Sequence, residues 1–167
     1  MGQTSRDCYL VPWVPLNGNT GSLWFEVIIP SGILAWPKIK VGNHVLLTTL
    51  GVGSPIIIDL TPPIPGEVFD GPHFGYDLNF TKEATMICTS WRDFADPESG
   101  ISMYEVALGT APEMEDVIER IEYNGRTSQA CIDTLLVANL TLQHNTMYYF
   151  TVWAWNNAQK LLFTNVS

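Results

Sequence analysis

Three acidic side chains, Asp93, Asp96 and Glu98, lie close together in a stretch rich in turn-forming residues. Oxygen ligands at alternate positions suit Ca²⁺, but the spacing does not match an EF-hand loop and the glycine which that loop requires is absent. The same stretch predicts a β-turn, in which Asp96 bonds its own backbone and Pro97 presets φ. We favour the turn, with calcium as a weak alternative and no other metal expected.

No arrangement of residues in the sequence predicts catalysis. His44, His73 and His144 are far apart and have no cysteine or histidine at ligand spacing, so a zinc site is not expected. Neither a Gly-x-Ser-x-Gly motif nor a glycine-rich phosphate loop occurs. We therefore expect a protein that is not an enzyme and needs no cofactor.

Two other residue pairs are candidate binding or modification sites. Trp153 and Trp155 alternate with apolar residues and form either a platform for a sugar or protein partner, or a packing surface for a strand or adjacent module. Asn79 and Asn139 begin N-glycosylation sequons that fall in predicted loops. A third sequon begins at Asn165, near the end of the sequence, and is not selected as a candidate.

Composition and charge narrow the class of partner. The 167 residues are 46% apolar and only 15% charged, which is typical of a globular protein with a core. The net charge of −9 disfavours nucleic acid and anionic membrane surfaces. No apolar run is long enough to cross a membrane, and the first residues do not resemble a signal peptide. If the protein is extracellular, we expect its targeting segment to lie outside this sequence.

Short β-strands separated by turns account for most of the chain. The predicted strands share β-branched and aromatic residues; they are 22–29, 39–41, 48–59, 67–69, 84–91, 101–108, 121–123, 127–133, 147–155 and 160–166. One short helix of at most two turns is predicted within 111–119, and 135–142 is predicted to be extended. This pattern predicts an all-β, immunoglobulin-like sandwich.

A proline-rich stretch at 59–66 separates two segments that resemble each other. The pattern Ile39-x-Val41-x-Asn43 is repeated 113 residues later as Val152-x-Ala154-x-Asn156, and an earlier Asn-Gly turn is repeated after 107 residues. We therefore predict that 1–59 is the C-terminal part of one module and that 60–167 is a second copy.

The run 142–156 resembles the E–F turn and F strand of fibronectin type III domains. Leu142 is followed six residues later by Tyr148, whose hydroxyl the resemblance assigns to a tyrosine corner. Trp91 and Tyr104 match the strand-B tryptophan and strand-C tyrosine of the family. The first copy has Ala35 in place of Tyr148, so it lacks the corner.

More narrowly, 91–110 resembles divergent type III-like repeats in large extracellular proteins of marine invertebrates, and 59–63 resembles their linker. The resemblance also places Cys88 and Cys131 on neighbouring strands B and E. A disulfide and two free thiols both remain open, because Cys88 should face away from the core if Trp91 faces inward. The third cysteine, Cys8, leaves an odd number.

The resemblance implies a non-enzymatic extracellular module for spacing and adhesion, within a tandem array of a secreted protein or a membrane-protein ectodomain. Its expected partners are proteins or neighbouring repeats, with no membrane insertion by this segment. The alternative is an accessory carbohydrate-binding module of an extracellular hydrolase. A Ca²⁺-rigidified array is a third hypothesis.

Overall fold

The computed structural model describes residues 10–16, 22, 24, 26–158 and 161–165; for 161–165 only the backbone is described. The chain divides into two compact units, Met1–Ile58 (unit 1) and Asp59–Ser167 (unit 2). The division lies one residue before the boundary that the proline-rich stretch predicts. The division into units does not test whether unit 1 is a partial copy of unit 2, so that statement stays a prediction.

Unit 1 contains two antiparallel pairs of strands. The strands are β1 (Leu34–Ala35), β2 (Lys38–Gly42), β3 (Thr48–Val52) and β4 (Ile56–Ile57). β2 pairs with β3, and β1 pairs with β4. In the β2–β3 turn, the Asn43 side chain accepts bonds from the backbone N–H groups of Val45 and Leu47 at 3.1 and 3.0 Å. The strand predicted at 22–29 is wrong, because its described residues form no strand.

Unit 2 is a sandwich of two antiparallel sheets, which confirms the predicted all-β fold. Its strands are β5 (Glu67–Asp70), β6 (Met86–Arg92), β7 (Ile101–Gly109), β8 (Ile118–Asn124), β9 (Gln129–Asp133), β10 (Tyr149–Asn156) and β11 (Leu161–Asn165). One sheet has the order β5-β6-β9 and the other β11-β10-β7-β8. Strands that alternate apolar and polar residues can bury one face between such sheets.

The core of unit 2 is built around Trp91, which is 1% exposed. Its ring meets Tyr104 and Tyr123 edge to face, with centroids 5.3 and 6.0 Å apart. Phe150 and Val152 on β10 are also buried in this cluster. Aromatic rings of this size supply a large part of the apolar area that a small sandwich buries. The core therefore lies between β6 and the β7–β10 pair.

The short helix lies where the sequence predicted an extended connection. Helix α1 (Thr134–Ala138) begins after Asp133, whose carboxylate accepts bonds from the N–H groups of Leu135 and Leu136. The helix predicted within 111–119 is wrong: Glu113 has φ of 67°, and Asp116 bonds back to Thr110. The N–H of Glu113 donates to Thr151 Oγ1 on a distant strand at 3.2 Å, so a tertiary contact overrides a weak local preference for helix. Among the described residues, no helix has both the length and the apolar character of a membrane span.

Candidate functional site

Asn156, at the end of β10, joins three parts of unit 2. It is fully buried, and its Nδ2 donates to Asp59 Oδ2 at 2.8 Å, Asp96 Oδ2 at 2.9 Å and the Thr61 carbonyl at 3.0 Å. Asp59 and Thr61 belong to the proline-rich stretch, whereas Asp96 belongs to the β6–β7 turn. One amide therefore fixes the start of unit 2 to the end of β10 and to the β6–β7 turn.

Ser99 completes this cluster, which we call the Asn156 clamp (Asp59, Thr61, Asp96, Ser99 and Asn156). Its hydroxyl donates to Asp59 Oδ2 at 2.5 Å, while Asp59 Oδ1 accepts a bond from the Thr61 N–H at 3.1 Å. Asp59 and Asp96 are only 7% and 9% exposed. Buried carboxylates need such partners, because an unpaired charge is costly away from water.

Asp96 is held in its charged form. Burial alone would raise the pKa of its carboxyl, but bonds from the Ser99, Gly100 and Glu98 N–H groups and from Asn156 outweigh burial and lower this pKa. The turn prediction for Asp96 therefore describes its geometry well: the side chain organises its own backbone. Its second role, as an acceptor from β10, has no signal in the local sequence.

The carboxylates that meet in space are not the three that the sequence placed together. One carboxylate oxygen from each of Asp59, Asp96 and Glu98 lies within 4.8 Å of the other two. Asp93 is not in this group; its side chain is 73% exposed and pairs with Arg92 at 3.3 Å. The predicted trio is thus corrected: Asp93, whose φ is 62°, pairs with Arg92 and is not among the clustered carboxylates. Two of the clustered carboxylates accept bonds from Asn156, so the geometry supports a linking role.

Of the two alternatives for Trp153 and Trp155, the structure favours packing over an exposed platform, because Trp153 is buried and Trp155 is half-buried. Trp153 is 4% exposed, and the Arg120 guanidinium lies 4.2 Å from its ring centroid. Trp155 donates from Nε1 to Glu105 Oε2 at 2.9 Å. Arg120 also pairs with Glu105 and with Glu115, at 3.4 and 3.1 Å. The long Arg120 side chain reaches from β8 across β7, so this sheet face is covered by unit 2 itself.

Cys88 and Cys131 face each other across β6 and β9 and form a disulfide in the structure. Cys88 is half-buried and Cys131 is exposed, so both lie away from the core. The outward direction of Cys88 follows from alternation with Trp91. It does not prevent pairing, because directly opposed residues in an antiparallel pair share one face. Cys8 lies outside the described residues.

The hydroxyl of Tyr148 closes the turn before β10. It accepts a bond from the Gln143 N–H at 3.0 Å, and Leu142 is half-buried against the core. This is the geometry that defines a tyrosine corner. With the two sheets, the corner and Trp91 at the centre, the architecture is settled. Unit 2 has a fibronectin type III-like fold.

Comparisons with known proteins give a likeness among solved structures and none among sequences. No protein-family model matches the chain, and no curated protein sequence matches it significantly. Among solved structures, the chain is similar to chicken CNTN1 FN1–FN3 domains, with 17% sequence identity and a TM-score of 0.38. The alignment covers 83% of this chain and 44% of that chain, so this chain spans less than half of its length. The fold assignment rests on the strand order and core described above.

The remaining predicted residues lie on the surface. Asn79 is in an exposed loop, and Asn139 is exposed at the end of α1 with φ of 50°. The side chain of Asn165 is outside the described set. The three histidines are exposed and distant in sequence. Sequence reasoning missed the clamp roles of Asp59, Ser99 and Asn156, although the recurrence of asparagine at 43 and 156 was a usable signal.

Proposed function

We propose that the chain is a non-enzymatic, extracellular segment of a tandem array of fibronectin type III-like modules, with unit 1 as the C-terminal part of one module. Its role is spacing and protein–protein contact, in a secreted protein or in the ectodomain of a membrane protein. The partners are neighbouring modules or other proteins. The narrower likeness to repeats of marine invertebrate proteins belongs to this proposal as well.

The observation that carries the proposal is a register shared by two hairpins. Ile39 pairs with Gly51 on β2 and β3, and Val152 pairs with Thr164 on β10 and β11. Both members of the second pair lie 113 residues after those of the first. The same offset relates all five pairs of one hairpin to the five of the other. A one-residue slip would exchange the two faces of a strand, so a shared register supports a shared module.

Surface chemistry supports the extracellular part of the proposal. A disulfide between Cys88 and Cys131 persists in oxidising compartments and is rare in the cytosol. Asn79 and Asn139 are both exposed, as an acceptor for a glycan must be. The covered tryptophans give no support to the carbohydrate-binding alternative, which we do not propose.

Production of the full chain behind a secretion signal in cultured animal cells tests the extracellular part. We expect secretion with an intact Cys88–Cys131 bond and glycans on Asn79 and Asn139. Peptide mapping with and without glycan removal measures both, and Asn79→Gln and Asn139→Gln are matched controls that should each remove one glycan. Secreted protein with free thiols and no glycan would contradict the proposal.

The spacing role is tested by stretching single molecules of the full chain. A load-bearing spacer should show one cooperative unfolding event for unit 2, since its two sheets form a single core. Gradual extension without a discrete event would contradict a spacer role.

A further inference from the structure

A groove in unit 2 lies beside Asn139, one of the two candidate glycan acceptors. Its volume is about 300 Å³, and both sequence neighbours of Asn139, Ala138 and Leu140, line it. Most of the lining residues are exposed, so the groove is open to solvent and is not a void in the core. Its size is at the small end of the range for sites that hold small molecules. We call it the Asn139 groove and use six of its lining residues: Thr110, Asp116, Ala138, Leu140, Thr146 and Tyr148.

The backbone around Asn139 is held in place by Thr134. The N–H groups of Asn139 and Leu140 both donate to the Thr134 carbonyl, the second at 3.1 Å. The Thr134 hydroxyl donates in return to the Leu140 carbonyl at 2.8 Å. Asn139 has a left-handed φ of 50°, which asparagine tolerates better than most residues. A group attached to the Asn139 side chain therefore starts from a fixed point next to the groove.

The groove combines polar groups with an aromatic ring. The Thr110 N–H and hydroxyl donate to the two carboxylate oxygens of Asp116, at 2.9 and 2.7 Å. These bonds orient the carboxylate, whose oxygens can each accept further bonds. The Tyr148 hydroxyl accepts a bond from the Gln143 N–H, and a phenol can donate its own proton as well. The groove thus offers an acceptor, a donor and an apolar ring surface.

We propose that the Asn139 groove holds the first N-acetylglucosamine of a glycan attached to Asn139. The acetamido group of this sugar carries one N–H donor and one carbonyl acceptor, and the C–H face of its ring is apolar. Asp116 can accept from the sugar, and Tyr148 can donate to it and pack against its ring. The inference rests on the proposed function, because it requires the glycan on Asn139. The sugar would join the end of α1 to the β7–β8 connection and to the turn before β10.

The glycosylated full chain, secreted by cultured animal cells, tests the proposal. With each glycan trimmed to one N-acetylglucosamine, we expect nuclear Overhauser effects between the acetamido methyl group on Asn139 and the Tyr148 ring. Thr146→Trp, which places a large side chain in the groove, should abolish them. In untrimmed native protein, the same variant should speed enzymatic release of the Asn139 glycan about 5-fold, the effect of losing one net hydrogen bond. Release from Asn79 is the internal control and should not change.

A second pair of variants leaves both the groove and Asn139 intact. Thr141→Ala removes the sequon, whereas Thr141→Ser keeps it. Hydrogen exchange in residues 110–117 and 143–148 should be faster in Thr141→Ala than in the wild type and unchanged in glycosylated Thr141→Ser. This comparison carries the test if Thr146→Trp fails to give a cooperative melt.

The results separate this inference from the proposed function. A glycan on Asn139 that shows no Overhauser effect to Tyr148, or whose removal leaves hydrogen exchange unchanged, would overturn the inference alone. The same holds for release that a folded Thr146→Trp variant does not accelerate. An Asn139 without any glycan in peptide mapping would overturn both the inference and the glycosylation part of the proposed function.

Discussion

β2–β3 and β10–β11 are two hairpins of one register placed in opposite surroundings. Val152 on β10 is wholly buried between sheets, whereas Ile39, its counterpart on β2, is more than half exposed. Asn156 is buried and joins distant segments, whereas Asn43 bonds only its own turn in the contacts described above. The strand pattern sets the pairing, but the neighbouring strands decide which residues become core.

The largest difference should appear when the two asparagines are changed. Asn156→Ala should destabilise unit 2 by about 3–5 kcal/mol, because it leaves the buried Asp59 and Asp96 carboxylates without their shared donor. Asn43→Ala should cost about 1 kcal/mol in its hairpin, where water replaces the lost bonds. Chemical denaturation of the full chain measures the first and local hydrogen exchange the second. Equal costs at the two positions would break the comparison.

Removal of the disulfide should be the next largest effect. Replacing Cys88 and Cys131 together by Ala should lower the stability of unit 2 by about 2–4 kcal/mol, since the bond closes a loop of 43 residues in sequence. The described residues of unit 1 include no cysteine, so hydrogen exchange in β2 and β3 should not change. Thermal melting with and without reductant provides a parallel check, and identical melting would contradict this expectation.

The same Val→Ala substitution at a buried and at an exposed position measures the effect of burial alone. Val152→Ala should cost about 2–3 kcal/mol, because it opens a cavity in a closed core. Val41→Ala should cost less than about 0.5 kcal/mol, because the side chain is already largely in water. A cost at Val41 equal to that at Val152 would contradict this expectation.

The smallest expected effect comes from the partly buried carboxyl group of Asp70. Burial, with a smaller contribution from Asp77, raises the pKa of Asp70 to about 6 from its usual 3.8. The folded state therefore binds the proton more tightly, so this group's contribution to stability is present below about pH 4 and is lost as pH rises through 6. Asp70→Asn should stabilise unit 2 by about 1 kcal/mol at pH 7, a figure reduced for partial solvent exposure. Melting at pH 4 and pH 7 measures it; a larger gain at pH 4 would be the wrong sign.

The sequence predicted the sandwich because each strand alternates, and Trp91 and Tyr148 stand at positions that few other folds require. It failed where distant segments meet. Nothing near Asp59 indicates that it contacts Asn156, 97 residues away along the chain. The sequence also left open whether Trp153 is covered, because the residue that covers it, Arg120, lies on a strand that is not its neighbour. Alternation assigns a face, but only the full sheet order shows what covers that face.

The position of the Cys88–Cys131 bond has a mechanical consequence. A chain pulled from its two ends can extend only through residues that lie outside the covalent loop. The enclosed segment withholds roughly 150 Å of contour length from that extension, at about 3.5 Å per residue. Under oxidising conditions, unit 2 can therefore unfold under tension without extending to its full contour length. Reduction of the disulfide would make the enclosed segment available for extension.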